Sequence, residues 1–279
     1  MSRFLGFVAL LQAGGAIIFL NSFRSHAETA RPSIRRLAFH SALLGIVTTL
    51  VVLVLEPARM AGAWSGMWNA EYLQLVLNSN LGAARTVRLL GMALIVWGMT
   101  AQGGRGETRA LIGATIAFLS FGLIGHVSSD ETKWLLYPLF IIHLVIVAFW
   151  FGSLLPLLNV LSAEEPRKAA ETVDEFSRVA VWLVPILFLA GTAIAYVLIG
   201  NVSTLFGTRY GWLVLTKAAI FALLMALAGL NKLRFGPELT RGDVAAVQAL
   251  RWSIRLEFAL IVIILAVTAV MTSFFSPTA

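Results

Sequence analysis

The feature that most constrains the fold of this chain is a series of long apolar segments with few charged side chains. Each is close to the length of about 20 residues that an α-helix needs to cross the hydrocarbon core of a bilayer. Because only helices and closed barrels satisfy their backbone hydrogen bonds in lipid, the pattern predicts an all-α polytopic membrane helix bundle. Eight transmembrane helices are predicted, near Phe4–Ser22, Leu37–Leu55, Gly82–Thr100, Ala110–Val127, Trp134–Leu158, Phe176–Ile199, Tyr210–Leu230 and Leu250–Phe274.

The composition agrees with this fold class and limits the chemistry. Hydrophobic residues make up 59% of the chain and charged residues 13%, which is outside the range of soluble domains. In a membrane protein a net charge of +7 is typical of cytoplasmic anchoring charges, so we expect the lipid bilayer and no nucleic acid as its partner. The chain has no cysteine, so any ligand for a soft metal must be His or Met.

The first apolar segment has two interpretations. A basic N-terminus, an apolar core and the tripeptide Ser25-His26-Ala27 resemble a cleavable signal peptide. However, the apolar run reaches Leu20, which is long for a signal core, and Arg24 lies just before the supposed cleavage point. These two features favour a retained helix.

The distribution of basic residues predicts the orientation of the bundle. Fourteen Lys and Arg residues lie on the side of the connectors that follow the odd-numbered segments, and six lie on the opposite side. The positive-inside rule places the richer side in the cytoplasm. Both termini are therefore predicted to be external or periplasmic.

A short internal similarity favours two parallel four-helix repeats within a single integral membrane domain. The sequence Asn80–Arg85 opens the third segment, and Thr208–Trp212 opens the seventh. Four helices in each half, residues 1–128 and 129–279, would give both halves the same orientation. Parallel repeats are a known way to build a transporter with its site between the halves.

Two histidines, His126 and His143, lie beside or within hydrocarbon-length segments. An intramembrane ionisable group is costly and usually functional, although an interfacial His126 and a hydrogen-bonded core His143 are the structural alternatives. If the fifth helix starts at Trp134, the two side chains differ in depth by about 12 Å and form successive sites on one path. A start at Pro138 would shrink the gap to about 6 Å and allow one shared site. We favour the path.

Two methionines, Met60 and Met67, lie in an external loop of sequence MAGAWSGMW. Thioethers suit Cu(I), so these residues could capture it at an entrance. The alternative, which the two Trp residues of the loop favour, is an amphipathic segment lying at the membrane surface.

Lys217 and Glu257 are the charged residues predicted to lie deepest within the membrane, and Arg88 lies at a shallower depth in the third segment. Lys217 and Glu257 could form a structural pair or provide successive steps of a proton or cation path. The chain lacks a Gly-rich phosphate loop, a nucleophile elbow and a zinc-protease helix motif. We therefore expect neither an ATP-driven pump nor an enzyme.

Several short motifs of the second half, spread in order over about 150 residues, resemble the copper-resistance D (CopD) family of bacterial inner-membrane proteins. The first half is similar more loosely, through Gly14-Gly15 and Asn80-x-Gly82 with Arg88. The motifs of the second half are Gly125-His126, His143 with Trp150-x-Gly152-x-x-x-Pro156, Phe176-Ser177-Arg178, Thr208-x-Tyr210-Gly211-x-Leu213 with Lys217, Asn231 with Pro237, and Ser253-x-x-x-Glu257.

This resemblance implies a protein of the bacterial inner membrane that passes copper inward from the periplasm. It assigns a candidate copper-binding role to His126 and His143, and it makes Trp150, Lys217 and Glu257 framework or pathway positions. It also implies a periplasmic copper-binding partner of the copper-resistance C type. The copper ion, Cu(I) or Cu(II), is the expected cofactor or cargo.

The predicted function is copper binding and movement across the membrane without ATPase activity. Two alternatives remain open. One is a membrane oxidoreductase that binds a b-type haem through its histidines, and the other is a copper-responsive scaffold that docks a partner and transports nothing.

Overall fold

The computed structural model of the chain describes residues 2–101, 104–123, 133–241 and 243–275. All regular elements in these ranges are helical. The eight long helices are α1 (Ser2–Ser22), α2 (Arg31–Ala61), α3 (Asn80–Thr100), α4 (Gly104–Leu119), α5 (Lys133–Ala163), α6 (Pro166–Ile199), α7 (Arg209–Leu230) and α8 (Val244–Phe274). Shorter helical segments are Trp64–Trp68, Ala70–Leu77, Ser120–Leu123, Val202–Gly207, Asn231–Phe235 and Gly236–Thr240.

Within the described ranges, seven helices are long and apolar enough to cross a membrane. They correspond to seven of the eight predicted segments. The remaining prediction, Ala110–Val127, falls on α4, on the 3₁₀ segment Ser120–Leu123 that continues it, and on residues 124–127, which lie outside the described residues. The observed fold is therefore an all-α bundle with seven candidate membrane-spanning helices.

Helices α1 and α5 form the centre of the bundle, and glycine lets them approach closely. A Cβ atom added to Gly15 would lie 1.9 Å from the carbonyl oxygen of Ala148, and one added to Gly152 would lie 2.5 Å from the Cα of Gly15. The Gln12 side chain of α1 donates a buried hydrogen bond to the Gly152 carbonyl, with a distance of 3.0 Å. Small residues at helix crossings are the usual basis of close packing in membranes.

Helices α3 and α4 pack antiparallel through two reciprocal glycine pairs. A Cβ on Gly91 would lie 2.6 Å from the Gly113 carbonyl oxygen, and one on Gly98 would lie 2.5 Å from that of Gly106. Glycines seven residues apart in each helix repeat on one face because seven residues make almost two turns. The pairing therefore runs along most of α4.

A buried carboxylate joins the helix ends on the opposite side of the bundle from the Trp64–Trp68 segment. Glu107, in the first turn of α4, is fully buried and accepts hydrogen bonds from three arginines. Its partners are Arg24 at 3.1 Å, Arg35 at 3.2 Å, and Arg31, whose Nε lies 2.8 Å from Oε1. This cluster, which we call the Glu107 cluster, ties the α1–α2 connector and the start of α2 to α4.

Helices α6 and α7 lie at the periphery of the second half. Both expose large apolar side chains along their length, including Trp182, Phe188 and Leu223, as expected for surfaces that contact lipid. The π-helical turn Asn231–Phe235 follows α7 directly and continues its helical course beyond Leu230. The space between these two helices, α5 and α8 holds the candidate site.

Candidate functional site

The candidate site is built around the carboxylate of Glu257, in the middle of α8. Glu257 is 3% exposed, and Trp150 of α5 is 5% exposed. The indole Nε1 of Trp150 donates a hydrogen bond to Glu257 Oε2 at 3.2 Å, and the Asn231 side-chain amide donates one to Oε1. Three helices therefore converge on one buried acid, and the buried amide oxygen of Asn231 has no hydrogen-bond partner among the described residues.

Local sequence explains why these side chains meet. The π-helical turn that starts at Asn231 widens the helix by one residue and redirects the side chains that follow it, and such turns occur often at functional sites. On α5, Trp150 lies two residues before Gly152, where the helix touches α1 most closely. The indole is thus held at a fixed depth against α8.

A cavity of about 260 Å³ adjoins this acid. Its polar lining comes from Glu257, Asn231, Ser177 and the exposed Lys232, together with the Trp150 indole. The rest of the lining is apolar and is supplied by all four helices of the second half, with Leu157, Phe176, Val184, Pro185, Met225 and Ile254 among its members. A second groove between α6 and α7 shares Val184, Pro185 and Met225 with the cavity.

His143 lies at a different level of the same helix face. It precedes Trp150 by seven residues, which is two helical turns or about 10 Å. Its ring packs on Gly191 of α6, where an added Cβ would lie 3.2 Å from Cε1, and the buried ring Nδ1 has no hydrogen-bond partner in the part of the chain that the structure describes. Lys217 of α7 lies within electrostatic range of the imidazole.

The charge of Lys217 acts on His143. No ion pair joins Lys217 to any described residue, so of the two alternatives for Lys217 and Glu257 the direct structural pair is not formed in the described part of the chain. Phe221, one turn after Lys217, packs edge-on against Trp150 with ring centroids 6.3 Å apart. The Trp150–Phe221 pair therefore lies between two groups of polar residues. We call His143 and Lys217 the upper level and Glu257 and Asn231 the lower level.

Arg88 belongs to the first half and lies apart from both levels. Its Nε donates to the Ser120 hydroxyl at 3.0 Å, and its guanidinium carbon lies 3.8 Å from the centroid of the Phe121 ring. One terminal nitrogen, Nη2, is buried and has no partner among the described residues. The contacts of Arg88 hold the 3₁₀ segment Ser120–Leu123 against α3.

The two loop methionines lie beside the N-terminal half. Met60 ends α2 and is exposed, whereas Met67 is half-buried in the Trp64–Trp68 turn, which packs on α2 and on Ala70–Leu77. Trp64 and Trp68 are 78% and 85% exposed, so both rings project outward, as membrane-surface anchors do.

The prediction for His126 falls outside the described residues. Helix α5 begins at Lys133 and runs through Pro138 without interruption. This start lies one residue before Trp134, the earlier of the two predicted starts, and the separation of His143 from His126 stays a prediction. In the described ranges, no three His, Asp or Glu side chains come together as a metal site. His143 is thus a single imidazole, and further ligands would have to come from other groups.

Comparisons with known proteins connect this geometry to a family. Residues 170–271 match the model for copper resistance protein D, and residues 1–134 match the model for the copper resistance protein D-like N-terminal domain. The first match contains α7, Glu257 and most of the cavity lining. The chain belongs to the copper resistance protein D family. No solved structure gives a significant match.

Three curated relatives of the family are similar over most of the chain. Inner membrane protein YebZ of Escherichia coli strain K12 is 24% identical, over 85% of this chain and 83% of its own length. Copper resistance protein D of Pseudomonas syringae pv. tomato is 27% identical, over 84% and 82%. Copper transport protein CutJ of Bacillus subtilis strain 168 is 26% identical, over 94% of this chain but 50% of the relative. The chain is a copper-related, multi-pass inner-membrane protein.

Asn231 is not among the site residues predicted from the sequence, although it belongs to one of the motifs that resemble the family. The signal that could have identified it is the sequence Asn231-Lys-Leu-Arg-Phe-Gly-Pro237, in which a polar residue and a proline follow a long apolar helix. Its bond to Glu257 depends on a π-helical turn, and the 3.6-residue period of an ordinary helix does not predict such a turn.

Proposed function

We propose that the protein moves copper ions across the inner membrane, without ATP hydrolysis, through the second half of the bundle. The observation that carries the proposal is the cavity at Glu257, because it lies among helices α5–α8, largely within the part of the chain that matches the copper resistance protein D model. A buried acid beside a cavity is the arrangement expected of an intramembrane cation pathway. The names of two relatives, a copper resistance and a copper transport protein, support copper as the cargo.

In this proposal the pathway has two copper-binding sites, an upper and a lower one. His143 is the upper one, because its Nδ1 is buried without a partner and a neutral imidazole nitrogen is a good copper ligand. Glu257 is the lower one. The positive charge of Lys217 opposes a cation at His143.

We also propose that the chain crosses the membrane eight times and has a defined orientation. Helix α4 runs antiparallel to α3 from Gly106 at one end to Gly113, and Arg88 of α3 reaches Ser120 beyond it. Sixteen residues of α4 and four of the 3₁₀ segment span about 32 Å, enough for the hydrocarbon core. With eight crossings and the basic residues inside, both termini are periplasmic.

In this orientation the entrance of the copper pathway lies at the external end of the bundle. His126 would hold the ion at the mouth, and Met60 and Met67 would collect Cu(I) delivered by a periplasmic copper-binding partner of the copper-resistance C type. The exposed Met60 side chain is accessible for such a transfer. Arg88 would shape the entrance on the side of the first half.

Copper uptake by purified protein in proteoliposomes tests the proposal at His143. We expect wild-type vesicles to take up copper and His143→Ala vesicles to take it up at least tenfold more slowly, because no other His, Asp or Glu cluster among the described residues could replace the buried imidazole. His40→Ala is the matched control, since His40 is exposed in the third turn of α2, hydrogen-bonds only to the Arg36 carbonyl among the described residues and should leave uptake unchanged.

Three results would count against this assignment. Absence of copper uptake by the wild-type protein would remove the transport function. Equal uptake by His143→Ala would remove His143 from the path. A reducible haem absorption band in the purified protein would replace the copper carrier with the haem-binding alternative.

A further inference from the structure

The outer side of the second half carries an apolar groove between α6 and α7. The groove has a volume of about 430 Å³ and is lined by apolar residues, of which Pro185 and Phe188 of α6 and Ala218 and Ala222 of α7 are exposed. Protein covers little of α7, because 6% of its most apolar stretch is buried, against 61% for α5. The groove is therefore open on its outer side to the acyl chains of the surrounding membrane.

The groove continues along α7 into the Glu257 cavity, with which it shares lining residues. We call the groove and the part of the cavity between α6 and α7 the α6–α7 channel. On α7, several lining residues repeat every three or four positions and share one helix face. They are Ala218, Ala222, Met225, Gly229 and Lys232. Because three of these five are Ala or Gly, this face leaves space for another molecule.

The length of the α6–α7 channel matches one leaflet of a bilayer. Near the end away from Lys232, the ring of Phe221 stacks on that of Phe188 across the two helices, with centroids 6.0 Å apart. The distance along the helix from Phe221 to Lys232 is about 17 Å at 1.5 Å per residue. Half of the hydrocarbon core of a typical bilayer is about 15 Å thick. One acyl chain therefore fits between the aromatic pair and the lysine.

The rim of the channel at Lys232 is polar and positively charged. Lys232 is exposed and forms no ion pair with any described residue, whereas the nearby Arg234 is paired with Glu238. Across the channel, Ser177 of α6 supplies a hydroxyl group to the lining. Glu257 is 3% exposed and lies behind this rim. An uncompensated cation thus stands at the end of an apolar channel.

We propose that the α6–α7 channel binds one phospholipid whose headgroup carries a net negative charge. Its phosphate accepts hydrogen bonds from Lys232 and Ser177, and one acyl chain lies along Met225 and Ala222. Moving an acyl chain from the bilayer into the channel removes no apolar surface from water, so the hydrophobic effect does not drive binding. The headgroup charge and the dispersion contacts of a filled channel drive it instead. The bound chain closes the side of the cavity that faces the membrane, whether or not copper passes through the bundle.

Native mass spectrometry of the purified protein in a mild detergent tests this inference. The probes are phosphatidylglycerol and phosphatidylcholine with identical acyl chains. We expect the wild type to bind one phosphatidylglycerol about fivefold more tightly than phosphatidylcholine, because one basic residue at a membrane surface has an effect of this order on an anionic lipid. Lys232→Ala should lower the affinity for phosphatidylglycerol to that for phosphatidylcholine. Ala222→Trp should abolish tight binding of both, because the indole occupies the channel.

Matched variants separate the channel from the general membrane surface. Lys168→Ala removes a lysine from the first turn of α6, and Ala219→Trp adds the same bulk to an exposed position of α7, both outside the channel lining. Both should bind lipid as the wild type does. Val181→Trp fills the channel from the opposite wall and keeps the test decisive if Ala222→Trp does not fold.

Three outcomes would overturn the proposal. Equal affinity of the wild type for the two lipids, or unchanged phosphatidylglycerol binding by Lys232→Ala, would remove the headgroup site. Unchanged binding by the tryptophan variants in the channel would place the lipid elsewhere. A wild-type dimer without bound lipid that becomes monomeric as Ala222→Trp would assign the channel to a second copy of the chain.

Discussion

A Glu107→Ala variant should be far less stable than the wild-type protein. Glu107 is fully buried and accepts hydrogen bonds from three arginines at once, Arg24, Arg31 and Arg35. Removing one partner of a buried ionic cluster typically costs about 3–5 kcal/mol, because the remaining charges stay in a poorly solvated place. Arg31 and Arg35 are largely buried, with side-chain exposures of 24% and 17%, so neither can rehydrate fully.

The measurement is the apparent unfolding temperature of detergent-purified protein, together with the yield of monodisperse protein from the membrane. Both should fall sharply for Glu107→Ala and also for Glu107→Gln, which keeps the shape but removes the charge. The matched control is Glu171→Ala, because the Arg167–Glu171 pair is exposed to solvent and such surface ion pairs add little to stability. An unfolding temperature for Glu107→Ala equal to that of the control would contradict the role of the cluster.

The long helices were predictable because lipid imposes one rule on every segment that crosses it. Apolar length alone predicted the positions of all seven candidate spans. Their ends were less predictable. Helices α2 and α8 each extend for 31 residues, well beyond their apolar parts, because polar residues outside the hydrocarbon core continue the helical hydrogen bonding. The length and composition of an apolar segment do not predict where its helix ends outside the membrane.

The sequence identifies the charged residues that lie within apolar helices, but it does not identify their partners. An intramembrane Glu257 is evident from the sequence, yet its donors, Trp150 and Asn231, come from helices 107 and 26 residues away. Which side chains meet depends on helix rotation, and rotation is set by contacts such as Gly15 on Gly152. The Glu107 cluster was missed for the same reason. Its arginines appear in the sequence only as cytoplasmic basic residues, and the acid that gathers them is 72 or more residues away.

The close contact between α1 and α5 leads to the second large effect. Gly152→Ala should destabilise the protein by about 1–3 kcal/mol or more, because overpacking at a rigid contact forces the backbones apart. The added Cβ would lie 2.5 Å from the Gly15 Cα and 2.7 Å from the Leu11 carbonyl oxygen, and neither backbone atom can rotate away. Separating the helices would also break the buried bond from Gln12 to the Gly152 carbonyl.

Apparent unfolding temperatures of four variants in detergent would check this. Gly229→Ala is the control, because Gly229 lies within α7 and an added Cβ there has no atom within 4 Å. It should be neutral or stabilise the helix by up to about 1 kcal/mol, since alanine favours helix more than glycine does. Gly15→Ala should resemble Gly152→Ala. The double variant should cost less than the sum of the two, because helices already forced apart by one methyl group leave room for the second. Additive losses would instead mean that the two glycines act independently, and an unchanged Gly152→Ala protein would show that α1 and α5 are free to separate.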